Sequence, residues 1–215
     1  MSPETNWEIK MLGKATSLLI KTTLTISAIM FIAGKADAKS GPFMETGKLT
    51  SIPIGHYQFC NQNPDECRLT TRGDVRVQLT QDNWQTLLDI NYHANHSIQS
   101  ITDLDLYGKE EVWAYPSYAG DCEDYVLIKR RGLIAAGWPP ASLLITVVLQ
   151  PNGEGHAVLT VRTDRGDLIL DNLQERVMVW NETPYTYLKR QSKNHTGKWE
   201  TINDQPVSSV GSITQ

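Results

Sequence analysis

The chain has 215 residues, 20% of them charged, and a formal net charge of −4. It contains no basic stripe, so we expect no nucleic-acid partner. Its longest apolar run near the N-terminus has 13 residues, fewer than the about 20 that a membrane-spanning helix needs.

The N-terminal segment is typical of a secretory signal peptide. Lysines at positions 10, 14 and 21 form a basic start, the apolar run Thr22–Gly34 follows, and Ala36-Asp37-Ala38 supplies small residues around a cleavage point. An uncleaved membrane anchor is the alternative reading. Because the first ten residues are polar, Met11 is a candidate true start.

We therefore expect residues 1–38 to be a signal peptide that is cleaved near Ala38, and the protein to be periplasmic or secreted. Residues 39–215 are then the mature chain. Its 177 residues are enough for one domain with a hydrophobic core. This part keeps 16 basic and 21 acidic residues, a net charge of −5.

Three cysteines carry information because export implies an oxidising compartment. Cys60 and Cys67 lie seven apart in CNQNPDEC, and we expect them to form a local disulfide. Cys122 is left over. A single thiol in a secreted protein is buried and inert, paired with another chain, or reactive.

The spacing of apolar residues predicts a helix from about Gln81 to Ile101, capped by Thr80. Residues 103–118 read as a loop. A second helix should begin at Asp121-Cys122 and run to about Ala136, where Gly137 stops it.

Strands follow the second helix, and they are rich in β-branched and apolar residues. The predicted strands are Ser142–Gln150, His156–Thr163 and Leu168–Leu173, with shorter ones at Val177–Trp180 and Tyr185–Leu188. The remaining tail from Gly197 reads as low-complexity and polar. Helices followed by a β-meander indicate an α+β fold.

Cys122 lies where the second helix should begin, and a helix N-terminus favours a thiolate and can bind an oxyanion. Such a nucleophile needs a base and a group that orients the base. His156 opens one predicted strand and Asp171 lies near the end of the next. A two- or four-residue turn between these strands would place both side chains on one face, and a three-residue turn would separate them.

Three segments carry a family resemblance. They are W-A-Y-P…G-D-C-E-D-Y in Trp113–Tyr125, G-H-A-V-L-T-V in Gly155–Val161 and L-I-L-D-N-L in Leu168–Leu173. The chain resembles the bacterial transglutaminase-like cysteine proteinases, in particular the branch with the periplasmic adhesin-releasing protease. The resemblance covers roughly residues 82–180, includes the spacing of Asn91, Asn95 and Asp103, and places the motif-bearing core of the domain at about 82–190.

The resemblance implies a transglutaminase-like, papain-like fold, with the catalytic cysteine at a helix N-terminus packed on an antiparallel β-meander. It implies that Cys122 is the nucleophile, His156 the general base and acid, and Asp171 the residue that orients His156. The function implied is cleavage of a protein substrate through a thioester acyl-enzyme. Where the adhesin-cleaving proteins have a longer N-terminal segment, this chain has the Cys60–Cys67 loop, so their substrate does not transfer.

Acids crowd the nucleophile at Asp121, Glu123 and Asp124. They can act as helix-capping acids, but they also oppose formation of the thiolate, and a bound Ca²⁺ would cancel that effect. The family is calcium-dependent, and by its motif Asp121 and Glu123 are the ligand candidates. Asp124 is expected to cap the helix or to pair with a base such as Arg130.

We expect a monomer without an organic cofactor, acting on a cell-surface or periplasmic protein and controlled by an inner-membrane regulator. Two alternatives stay open. One is a transglutaminase or amidase that resolves the acyl-enzyme with an amine, and the other is a non-catalytic binding protein on the same fold.

Overall fold

The computed structural model describes residues 41–68 and 73–203, so the predicted signal peptide and its cleavage point lie outside the described residues. The strands are β1 (Thr46–Thr50), β2 (Gln99–Ser100), β3 (Ala119–Gly120), β4 (Leu143–Leu149), β5 (Gly155–Thr163), β6 (Gly166–Leu170), β7 (Met178–Val179), β8 (Thr186–Ser192) and β9 (His195–Ile202). Strands β2 and β3 pair in parallel with each other. The other strands form an antiparallel sheet in the order β1-β9-β8-β4-β5-β6-β7.

The helices are α1 (Ile54–Gln62), α2 (Gln81–Ser97), α3 (Asp103–Tyr107) and α4 (Cys122–Ala135). The predicted cap of α2 is confirmed, since the Thr80 side chain accepts a hydrogen bond from the N–H of Asn83 at 3.2 Å. This helix is shorter than predicted because Ile98 has extended dihedral angles and leads into β2. Within the two described ranges, no helix has both the length and the apolar character needed to cross a bilayer.

The α+β prediction is confirmed, but two elements of the structure, α3 and β9, were not predicted. Residues 103–118 were expected to be a loop, but Asp103–Tyr107 forms α3. The tail from Gly197 reads as low-complexity and polar in the sequence, but His195–Ile202 forms β9 and buries Trp199. The pairings of β9 with β8 and β1 are long-range contacts, which a local pattern of polar residues does not reveal.

The core has two parts, on opposite faces of the sheet. Alternate residues of β4 and β5 belong to different parts, as expected for strands whose successive side chains point to opposite faces. The first part joins α2 and α4 to the sheet, with Leu87, Leu127 and Leu159 among its members. The second part contains Val158 and Tyr185. Helix α4 is therefore held against β5, with its first residue near the start of that strand.

Candidate active site

Cys122 is the first residue of α4, preceded by Asp121 in an extended conformation. Its thiol donates a hydrogen bond to Oε2 of Glu123 at 3.1 Å. Burial raises the pKa of the Cys122 thiol well above its usual value, the charge of Glu123 raises it further, and a hydrogen bond from the N–H of Ala157 opposes these effects. The adjacent acids thus disfavour the thiolate, as the sequence predicted.

His156 and Asp171 are in direct contact. The turn between β5 and β6 has two residues, because Thr163 pairs with Gly166. This turn length is one of the two that were predicted to put both side chains on one face. The imidazole Nε2 lies 2.8 Å from Oδ1 of Asp171, and both side chains are buried. The predicted placement of His156 and Asp171 on one face of the hairpin is confirmed.

Three further groups hold Asp171 in place. The Tyr185 hydroxyl donates to Oδ2 at 2.5 Å, the N–H of Leu173 donates to Oδ1 at 3.0 Å, and Nδ2 of Asn95 donates to the backbone oxygen at 2.9 Å. Burial alone would raise the pKa of Asp171, but the hydrogen bond and charge of His156, with the Tyr185 hydroxyl, hold it below its usual value. Asp171 is therefore a carboxylate at neutral pH.

Sequence reasoning missed Tyr185 as a site residue. It lies 14 residues beyond Asp171, and it was noted only as the start of a short strand. In the structure it immediately precedes β8, and its ring centroid lies 5.6 Å from that of His156. Only the position of β8 in the sheet brings the two rings together.

Cys122 contacts β5 at the residue next to His156. Among the described residues, the hydrogen-bond partners of its sulfur are Glu123 and the N–H of Ala157, the neighbour of His156 in β5. The imidazole is not one of these partners. Because Nε2 of His156 is bonded to Asp171, Nδ1 is the nitrogen that can serve the thiol.

A second feature of the site is a cluster of three carboxylates, Asp103, Asp121 and Asp124. Each is anchored through one oxygen by a backbone N–H. The N–H of Val112 donates to Asp103 at 2.5 Å, and the N–H of Asp103 donates to Asp121 at 3.1 Å. The N–H of Ala114 donates to Asp124 at 2.9 Å.

The other oxygen of each carboxylate in this cluster is buried and has no hydrogen-bond partner. Oxygens of the three residues lie within 4.8 Å of one another. Burial raises the pKa of Asp124 to about 7, and the charges of Asp121 and Asp103 raise it as well. Gly120 permits this approach, because a Cβ there would lie 2.3 Å from Oδ2 of Asp124. Carboxylate oxygens that lie close together without hydrogen-bond partners are suitable ligands for a hard divalent cation such as Ca²⁺.

The two predicted metal residues, Asp121 and Glu123, lie next to each other in the structure. Asp121 belongs both to the carboxylate cluster and to a second group, which it forms with Cys122 and Glu123. Asp124 was expected to cap the helix or pair with Arg130, but Arg130 instead binds Glu66 at 3.1 Å. Asp103 was noticed only for its spacing before the nucleophile. Its approach to Asp121 depends on the fold of the intervening loop.

The predicted disulfide between Cys60 and Cys67 is present, with 5.5 Å between the two Cα atoms. It closes the loop after α1 over the buried His56, whose Nδ1 accepts a hydrogen bond from the indole N–H of Trp199 at 3.1 Å. The disulfide thus covers part of the first core, and Cys122 is the remaining free cysteine of the chain.

Residues 46–207 match a protein-family model described as the bacterial transglutaminase-like cysteine proteinases. No curated protein matches the chain. Solved structures of LapG from Legionella pneumophila are similar to it. The calcium-bound form is 24% identical, with a TM-score of 0.48, over 60% of this chain and 74% of that chain. A second LapG structure is 26% identical, with a TM-score of 0.46, over 54% and 68% of the two chains. The EGTA-treated form is 25% identical, with a TM-score of 0.47, over 60% and 74%.

Proposed function

We propose that this chain, which belongs to the bacterial transglutaminase-like cysteine proteinase family, is an exported endopeptidase that cleaves a protein substrate. Cys122 is its nucleophile, His156 its general base and acid, and Asp171 the residue that orients His156. The observation that carries this assignment is the buried 2.8 Å contact between His156 and Asp171, next to the Ala157 N–H that binds the Cys122 sulfur.

The chemistry follows from these positions. The Cys122 thiol gives its proton to Nδ1 of His156, and the sulfur attacks the scissile carbonyl carbon. The N–H groups at the start of α4 stabilise the oxyanion, and imidazolium returns the proton to the leaving amine as the C–N bond breaks. His156 then takes a proton from water as the water oxygen attacks the thioester carbonyl carbon. The imidazolium returns this proton to the sulfur as the C–S bond breaks, which releases the acid and the thiol. Before the first step, the thiol must exchange Glu123 for His156 as its hydrogen-bond partner.

Calcium fits the carboxylate cluster. Asp103, Asp121 and Asp124 would hold the ion through their unpartnered oxygens, and backbone carbonyls would complete the shell. A bound cation supplies positive charge beside acids that otherwise oppose the thiolate. We expect a chelator to abolish activity and added Ca²⁺ to restore it. Activity that is unchanged by the chelator would contradict the proposal that the enzyme requires calcium.

Export and substrate are tested together in cells. The experiment compares periplasmic and cell-surface proteins of the wild type with those of a Cys122→Ala strain by sequencing protein N-termini. We expect new N-termini of at least one exported protein in the wild type alone. Identical sets of N-termini in the two strains would contradict the proposal.

Acyl transfer is the second candidate, because the same three residues form the acyl-enzyme and either water or an amine can resolve it. A labelled primary amine, supplied with the substrate, separates the two reactions. Label in the product without cleavage would establish transfer, and cleavage without label supports hydrolysis. A non-catalytic binding protein would do neither.

A further inference from the structure

Strand β5 has an open edge at its beginning, where it carries His156. On one side β5 pairs with β4 from Gly155 to Val161. On the other side, β6 pairs with β5 only from Leu159 onward. Among the strands that the structure describes, none therefore borders residues 155–158 on the β6 side.

The edge is open because the chain turns towards α2 after β6. Nδ2 of Asn95 donates to the backbone oxygen of Asp171 at 2.9 Å, and Nδ2 of Asn91 donates to the backbone oxygen of Glu175 at 3.1 Å. Helix α2 packs on one face of the sheet through the first part of the core. These two bonds hold the segment after β6 against the helix, so it does not continue along β5.

The backbone groups of Gly155 face this open edge. In an antiparallel pair, alternate residues direct their N–H and C=O groups towards the partner strand. The N–H of Gln150 donates to the oxygen of Glu154 at 2.9 Å, in the register that pairs β4 with β5. The even-numbered residues of β5 therefore face β4, and Gly155 and Ala157 face away from it.

These two residues differ in what they meet at the edge. The N–H of Ala157 is taken by the sulfur of Cys122, so the nucleophile lies where the next residue of β6 would have been. Gly155 is exposed, and within the part of the chain that the structure describes no backbone group bonds to it on this side. A free donor and a free acceptor thus lie beside the nucleophile.

We propose that the open edge of β5 binds the main chain of the protein substrate as an additional strand. The N–H of Gly155 donates to a carbonyl oxygen of the substrate, and its C=O accepts from a substrate N–H. Free backbone groups at a sheet edge recognise an extended chain in this way. Because Gly155 and Ala157 are about 7 Å apart along the strand, the bound substrate residue lies close to the bond that Cys122 attacks.

This inference rests on the proposed function and narrows the substrate class. A strand is added only by a segment that is extended and has free N–H and C=O groups. We therefore expect cleavage in linkers or unfolded segments of the substrate, and not within its helices. Recognition through the main chain also tolerates different side chains at the residue that Gly155 binds.

The first test is Gly155→Pro in the mature protein, assayed on the exported protein that the wild type cleaves. Proline is tolerated at the first residue of a strand, and here it removes a donor that β4 does not use. We expect kcat/KM to fall about tenfold, mainly through KM, while iodoacetamide labels Cys122 at the wild-type rate. Glu154→Ala, an exposed neighbour in the same turn, is the control and should change neither value.

The second test modifies the substrate and leaves the protein intact. Short peptides that span the cleaved bond each carry one N-methylated amide, which cannot donate a hydrogen bond. Only every second N–H of an added strand faces its neighbour, so we expect kcat/KM to fall about tenfold at alternate positions and little between them. This measurement decides the question if Gly155→Pro does not fold or loses the labelling of Cys122.

Two results would overturn the inference while the proposed function stands. One is equal cleavage by the wild type and by Gly155→Pro, and the other is a series of N-methyl effects without alternation. A wild type that cleaves no exported protein would instead contradict the proposed function, and the inference with it. The wild-type arm thus tests the activity, and the variant and peptide arms test the edge of β5.

Discussion

The Tyr185 hydroxyl donates a hydrogen bond to Oδ2 of Asp171 at 2.5 Å, on the oxygen that His156 does not contact. Each oxygen of this carboxylate thus has a side-chain donor, and Leu173 adds a backbone donor. The carboxylate cannot rotate without breaking one of these bonds. Tyr185 therefore fixes the plane of Asp171, and through it the ring of His156.

Replacing Tyr185 with Phe tests this relationship. The change removes one hydrogen bond to a charged group, worth about 1.5–3 kcal/mol, so we expect kcat to fall about tenfold or more. Tyr187→Phe is the matched control, because its hydroxyl bonds to Thr183 and not to Asp171. Steady-state kinetics on a peptide substrate give the result. Equal rates for wild type and Tyr185→Phe, or equal losses in the two variants, would show that Tyr185 does not orient the site.

The carboxylate cluster predicts that calcium stabilises the fold. Binding to the native state alone raises stability by about 2.7 kcal/mol at a hundredfold excess over Kd. We expect Ca²⁺ to raise the melting temperature of the wild type, and Asp103→Asn to lose most of that rise. Asp105→Asn lies on the same short helix, where its carboxylate accepts from Thr102, and serves as the control. Calorimetric titration measures the affinity of the wild type and of Asp103→Asn for Ca²⁺. Equal affinities of these two proteins would show that Asp103 does not bind the ion.

The buried His56 predicts a loss of stability in acid. Burial lowers the pKa of this imidazole to about 4, with a contribution from the charge of Arg130, whereas in the unfolded chain it is about 6.5. The unfolded state therefore binds more protons between these values. Stability should fall as the pH drops from about 6.5 to 4, by roughly 3 kcal/mol from this residue.

Urea unfolding at several pH values measures this effect. His56→Gln is less stable at neutral pH because it loses packing against Trp113 and Trp199, but its stability should change less over the same pH interval. Parallel pH profiles for the wild type and the variant would contradict the prediction, because they would mean that His56 takes up its proton in the native state over the same pH interval as in the unfolded chain.

Removing the disulfide should destabilise the protein without inactivating it. The closed loop between Cys60 and Cys67 is short, and chain entropy assigns such a loop about 2–3 kcal/mol. We expect that loss in guanidinium unfolding of the Cys60→Ser/Cys67→Ser variant, with kcat retained below its melting temperature. Cys122→Ala should unfold like the wild type. A double variant that is as stable as the wild type would show that the loop is held by Glu66 and its partners instead.

Part of the candidate site can be predicted from the amino-acid sequence. Cys122 was located by a helix start and a motif, and the family resemblance implied the pairing of His156 with Asp171. Parity allowed that pairing for a two- or four-residue turn, and the structure has the two-residue turn. Local patterns were sufficient there because the residues lie in adjacent elements. Tyr185 and Asp103 join the site through contacts across the sheet and across a loop. Periodicity gives the face of an element, but it does not give the partner that meets that face.

The same limit applies to Trp199. It lies in the segment that reads as a polar tail, and its neighbours Lys198 and Glu200 are charged. The alternation of charged and apolar residues is equally typical of a half-buried strand. Only the pairing of β9 with β8 and β1 shows which interpretation is correct.

The reactivity of Cys122 tests the whole account most directly. Cys60 and Cys67 are bonded to each other, so alkylation of the native protein reports on Cys122. With Ca²⁺ present near neutral pH, we predict that iodoacetamide labels Cys122 faster than free cysteine, and that His156→Ala removes the acceleration. Mass spectrometry of the labelled peptide gives the rates. A wild-type rate no higher than that of free cysteine, or a rate unchanged in His156→Ala, would contradict the account.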